Sequence, residues 1–120
     1  MEVPLEQLID AFLDGELSFQ FYFSKHTNEV FIPFEGEDIE DDENIYPVPF
    51  KSSKEMYEVM VEFSKQTEDT VEEKLFIALN KRKPFVNFKE TLSNEGLLNV
   101  WHEFERAYAK QQVLKWLESI

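Results

Sequence analysis

Leu17-Ser18-Phe19-Gln20-Phe21-Tyr22-Phe23-Ser24, then Lys25-His26-Thr27-Asn28, then Glu29-Val30-Phe31-Ile32-Pro33-Phe34, separates this sequence from an all-helical one. Phe19, Phe21 and Phe23 alternate with Ser18, Gln20 and Tyr22, a period of two that marks a half-buried strand. Val30, Ile32 and Phe34 alternate again. Lys25 to Asn28 reads as the turn between them, with Asn28 able to take a left-handed backbone. The two runs predict an antiparallel hairpin.

Before the hairpin, Leu5, Leu8, Ile9 and Phe12 recur at helical spacing and predict a helix over 4–14. Pro4 suits its first turn and Gly15 its end. After the hairpin, Ile45-Tyr46-Pro47-Val48-Pro49-Phe50 is extended. Backbone N–H groups alternate sides along a strand, so Pro47 and Pro49 remove donors from one side only. The other side can pair through Tyr46 and Val48, which predicts a third strand at the sheet edge.

The rest reads as four helices. Ser52-Ser53-Lys54-Glu55 fits a capping box ahead of the stripe Met56, Val59, Met60, Phe63. Thr70-Val71-Glu72-Glu73 fits a second one ahead of Leu75, Phe76, Ala78 and Leu79. Lys81-Arg82-Lys83 closes that helix and Pro84 opens another, lined by Phe85, Phe88 and Leu92. Asn94-Glu95-Gly96 is a break. The last helix, over 98–118, carries Trp101, Phe104 and Tyr108 on one side. Val113, Trp116, Leu117 and Ile120 continue a stripe slightly rotated from it. The expected fold is therefore α+β: an N-terminal helix, a small three-stranded antiparallel sheet (hairpin plus edge strand), then four helices packed on it. With 120 residues and no internal repeat or hinge-like linker, a single domain over 1–120 is expected.

Charge is unevenly spread. The net charge is −13, from 12 basic and 25 acidic side chains. Residues 1–50 hold 13 acids and one base, Lys25, whereas residues 51–120 hold 12 acids and 11 bases. Glu35, Glu37, Asp38, Glu40, Asp41, Asp42 and Glu43 lie within ten residues, 35–44, that contain no base. Such a block repels itself and predicts a solvated, mobile loop. An acidic chain of this kind disfavours nucleic acid and anionic membranes as partners, most firmly for its N-terminal half. Lys81-Arg82-Lys83 is the sole basic cluster, and cations at a helix C-terminus complement the helix dipole.

The 12 Phe, 4 Tyr and 2 Trp exclude a disordered acidic chain. No apolar run approaches the length of a membrane span. The N-terminus lacks a basic segment followed by an apolar one, so no secretory signal is read. With no cysteine as well, a cytoplasmic setting is expected.

The second half carries Phe85-x-x-Phe88-x-x-x-Leu92-x-x-x-Gly96-Leu97-x-x-x-Trp101-x-x-Phe104. Together with the hairpin, the acidic loop, Tyr46-Pro47 and the late Trp116-Leu117-Glu118, this pattern resembles a small acidic bacterial "uncharacterised protein family" of the UPF type. The resemblance spans nearly the whole chain. It implies an α+β fold and a bacterial cytoplasmic protein, and it brings no catalytic residues.

Chemistry-bearing motifs are few. The acidic loop fails as an EF-hand: counted from Asp38, Glu43 stands where glycine is required and Pro49 where the bidentate Glu belongs. His102-Glu103-Phe104-Glu105-Arg106 has Arg where a zinc helix needs its second His. His26 sits in a turn. Gly15, Gly36 and Gly96 are isolated, so no phosphate-binding loop is present. No catalytic residue, metal site or cofactor is assigned.

Two functional readings follow. The first is a non-enzymatic interaction or regulatory protein, whose acidic residues 35–43 meet a basic surface on a partner protein. The alternative is a small ligand-binding or enzymatic domain with an aromatic-lined pocket near Phe88, Trp101 and Phe104. Phe85, Phe88, Trp101 and Phe104 are thus candidates for either core or pocket. The oligomeric state is open.

Overall fold

In the computed structural model, residues 3–15, 20–33 and 42–120 are described. The order of elements among them is that expected: one helix, three short strands, four helices. These are α1 (Leu5–Asp14), β1 (Tyr22–Ser24), β2 (Glu29–Phe31), β3 (Ile45–Pro47), α2 (Ser53–Lys65), α3 (Asp69–Leu79), α4 (Pro84–Asn94) and α5 (Leu98–Ser119). The chain makes two compact units, which share α5. The sheet unit comprises residues 1–52 and 108–120, the helical unit residues 53–107.

In the sheet unit, α1 buries Leu8, Ile9, Ala11 and Phe12, with Leu5 half-buried beside them. Pro4 precedes the helix, where a missing N–H breaks no intrahelical bond. Gly15 ends the helix with extended backbone (φ −69°, ψ 152°). Space, not handedness, demands glycine there. A Cβ would lie 2.7 Å from the Ala11 carbonyl oxygen and 2.8 Å from Phe50 Cβ. Lys51 secures the same helix end. Its N–H donates to the Phe12 carbonyl at 3.1 Å, and its ammonium donates to the Leu13 carbonyl.

The sheet is antiparallel in the order β2-β1-β3, so β3 is an edge strand. Asn28 is left-handed, with φ 57°. Its N–H donates to the Ser24 carbonyl at 2.8 Å, closing the turn. Phe23 faces the core and its partner Val30 packs against it. On the opposite face Tyr22 meets Phe31, with ring centroids 6.4 Å apart. The Val48 N–H donates to the Phe21 carbonyl at 2.9 Å, the side of β3 that the prolines leave intact. The inward alternation stops earlier than the sequence suggests. β2 ends at Phe31, and Ile32 is exposed. Phe19 and Phe34 lie outside the described residues. The core is completed from α5 by Ala109 and Val113. Tyr108 meets Phe12 there, and Trp116 packs edge-on against Phe23 at 6.0 Å.

In the helical unit, α2 buries the expected Met56, Val59, Met60 and Phe63. Ser64 is also buried, its hydroxyl donating to the Met60 carbonyl at 2.8 Å. α3 departs from the expected start. It begins at Asp69 with Glu68 as the preceding residue, so Thr70 lies inside the helix and caps nothing. Acidic side chains at Glu68, Asp69 and Glu72 suit the positive end of the helix without a capping hydroxyl. Pro84 opens α4, which buries Phe88 and Leu92. α4 ends in a Schellman turn. The Leu97 N–H donates to the Leu92 carbonyl at 2.9 Å and that of Gly96 to Ser93 at 3.2 Å. Gly96 supplies the positive φ of 72° that this turn needs.

Candidate functional site

Five of the seven candidate acids, Glu35, Glu37, Asp38, Glu40 and Asp41, lie outside the described residues, as does most of the loop expected to be mobile. Asp42 and Glu43 are described and exposed. Asp42 fixes the start of β3 in two ways. Its carboxylate accepts the Asn44 N–H at 2.9 Å, and its carbonyl accepts the Ile45 N–H at 3.2 Å. The Asn44 carbonyl accepts the Lys25 N–H at 2.8 Å, tying this end of the acidic segment to the hairpin.

The charge follows the units. The sheet unit carries 14 acids and 4 bases, the helical unit 11 acids and 8 bases. On the sheet unit Glu6, Asp10, Asp14, Glu29, Asp42 and Glu43 are all exposed. The lysines of its N-terminal stretch are committed elsewhere. Lys25 lies over the Tyr46 ring, 5.8 Å from its centroid. Lys51 is bound to the end of α1. Neither forms an ion pair with a described carboxylate.

The aromatic candidates divide. Phe88 and Trp101 are fully buried. Their rings meet edge to face at 5.2 Å, and Phe63 meets them at 6.4 and 5.3 Å. Phe85 is half-buried on α4. Phe104 is half-buried and packs on Phe63 at 5.2 Å. The Trp101 indole Nε1 is buried and has no hydrogen-bond partner among the described residues.

Phe104 and Phe63 also border a cleft of about 660 Å³ in the helical unit. It is bounded by the α2–α3 turn, the first turn of α3, the α4–α5 turn and the start of α5. Val71, Leu97 and Val100 add apolar surface, and Gln66 and Thr67 add polar groups. Among the described residues its ionisable lining is acidic: Glu68, Glu95 and Glu103. Glu95 binds Lys74 at 2.7 Å. Of the aromatic candidates, only Phe104 reaches this cleft. Phe63, one of the two rings on its floor, reads in sequence as one member of a helical stripe. Nothing in that spacing distinguishes it from Met56 or Met60.

His26 and His102 are exposed, one in the hairpin turn and one on α5. No group of three or more metal-ligating side chains forms among the described residues. No helix among them is long and apolar enough to cross a membrane.

The profile of UPF0158, described as an uncharacterised protein family, matches residues 4–120, and the chain belongs to that family. No curated protein and no solved structure matches the chain.

Proposed function

We propose that this member of UPF0158 is a non-enzymatic interaction protein that presents an acidic surface to a basic surface on a protein partner. The observation behind this reading is the concentration of charge. Residues 1–50 hold 13 of the 25 acids and one base, and that base lies over Tyr46. Seven of the acids fall in residues 35–43. A field of this kind speeds encounter with a positive surface and repels nucleic acid and anionic lipid. The bacterial and cytoplasmic setting that the family resemblance implies belongs to the same reading.

The test compares two chains as bait in extracts of the native cell. One is wild type; in the other the acids of residues 35–43 are replaced by Asn and Gln. Bound proteins are identified by mass spectrometry at low and high salt. The expected result is a partner with a basic surface, held by the wild-type chain at low salt, released at high salt and depleted on the neutralised chain. Equal capture by both chains at both salt concentrations overturns the proposal.

A further inference from the structure

The cleft of the helical unit combines an apolar floor with an acidic rim. Its floor is apolar: Phe63, Val71, Leu97, Val100 and Phe104. Val100 is 50% exposed, a substantial apolar side chain left in water at the mouth. A volume of about 660 Å³ falls in the range of sites that take up several side chains or a drug-sized group.

Its rim decides what fits. Among the described residues no lysine or arginine lines the cleft, whereas three glutamates do. Glu95 is already neutralised by Lys74. Glu68 and Glu103 have no ion-pair partner among the described residues. Glu68 has a local explanation, since an acid at a helix start suits the dipole. Glu103 stands inside α5, beyond its first turn, and has none.

We infer that this cleft docks a polypeptide segment carrying large apolar side chains flanked by Lys or Arg. The apolar side chains enter between Phe63, Phe104 and Val100, and the cations meet Glu68 and Glu103. The combination separates the anchor, which sets affinity, from the rim charges, which set orientation. A second copy of the chain offers segments of this kind, Lys81-Arg82-Lys83 followed by the exposed Val86, and the exposed Leu114 between Lys110 and Lys115. A net charge of −13 on each copy opposes that pairing, so the occupant is assigned to a different, basic chain. The inference does not rest on the acidic segment 35–43, and each can fail alone.

The test uses the full chain with labelled methyl groups and three synthetic peptides of equal length. One is an amphipathic Leu/Lys peptide, one its Leu/Glu counterpart, one a Ser/Lys peptide without apolar side chains. The Leu/Lys peptide is expected to shift the methyl resonances of Val71, Leu97 and Val100. Glu68→Gln with Glu103→Gln should weaken it about three- to tenfold, as expected for two exposed charge pairs. Val100→Ser should also weaken it, and both variants sit on exposed positions that the fold tolerates. Neutralising residues 35–43 should leave these methyl shifts in place. Four results overturn the inference. They are no shift at these methyls, equal shifts with the Leu/Glu peptide, equal shifts with the Ser/Lys peptide, or concentration-dependent self-association of the chain that the Leu/Lys peptide reverses.

Discussion

The sheet unit and the helical unit close their cores with different materials. Around α1 and β1 the buried residues are mostly aliphatic or small: Leu8, Ile9, Ala11, Val48, Ala109 and Val113, with Phe12 and Phe23 among them. Around α2 and α4 the centre is a set of rings, Phe63, Phe88 and Trp101, meeting edge to face. The charge difference runs alongside. The sheet unit holds 14 acids against 4 bases, and the helical unit is close to balanced. Rings that pack edge to face combine large buried area with a fixed mutual orientation. Such a cluster can hold Phe63 and Phe104 in place while they also border a cleft. Among the described residues of the sheet unit the rings meet as separate pairs, Phe12 with Tyr108 and Phe23 with Trp116, and the larger difference is in charge.

Core truncations test that comparison with the largest effects. Trp101→Ala should cost about 4 kcal/mol, because a fully buried ring leaves a cavity among its neighbours. Trp101→Phe should cost much less, about 1 kcal/mol. It keeps a ring in place and removes a buried N–H that has no partner among the described residues, itself a penalty of about 1–3 kcal/mol. Leu8→Ala in the sheet unit should cost about 3 kcal/mol. Urea unfolding measures all three. The two tryptophans divide between the units, so the Trp101→Phe chain reports the sheet unit through Trp116 alone.

Glycine substitutions sharpen the comparison further, because the units use glycine for unlike reasons. Gly15→Ala should cost about 2 kcal/mol through overpacking against the Ala11 carbonyl and Phe50. Gly96→Ala meets nothing within 4 Å and should cost about 1 kcal/mol, through its positive φ alone. Gly96→Asn should recover part of that loss, since Asn tolerates the left-handed region, whereas Gly15→Asn should recover nothing. Thermal unfolding of the four variants decides it.

The smallest effect belongs to the ion pair at the cleft. Lys74 is largely exposed, so Lys74→Ala should cost under about 1 kcal/mol in stability. The same change removes the partner of Glu95 and should tighten binding of a cationic peptide to the cleft. A peptide titration checks that direction.

Much of the fold was legible because the chain obeys two clean periods. Phe21 and Phe23 alternate with Tyr22, while Leu5, Leu8, Ile9 and Phe12 repeat as a helix. Asn28 and Gly96 stood where left-handed backbone is needed. Two features were less legible. Thr70 looked like a cap, but acidic residues ahead of it start α3 two residues earlier than a cap at that position would. The shift of stripe along α5 looked like a slight rotation. At 3.6 residues per turn, Ala109 and Val113 stand roughly a quarter to a third of a turn from Trp101. One helix serves two cores, which a single periodic stripe cannot show. The cleft was illegible for another reason. Gln66, Glu95 and Glu103 are brought together by turns and helix packing, and no sequence spacing records that.

Recognition is proposed to lie in the acid-rich N-terminal portion of the chain. The most direct measurement is the salt dependence of affinity for the captured basic partner. It is made on the wild-type chain, on the chain neutralised over residues 35–43, and on the Glu68→Gln, Glu103→Gln chain. Affinity should fall steeply with salt for the wild type and much less for the neutralised chain. The double-Gln chain should lie close to wild type in slope, since it removes two charges and the other removes seven. Equal slopes for the wild-type and neutralised chains would contradict it.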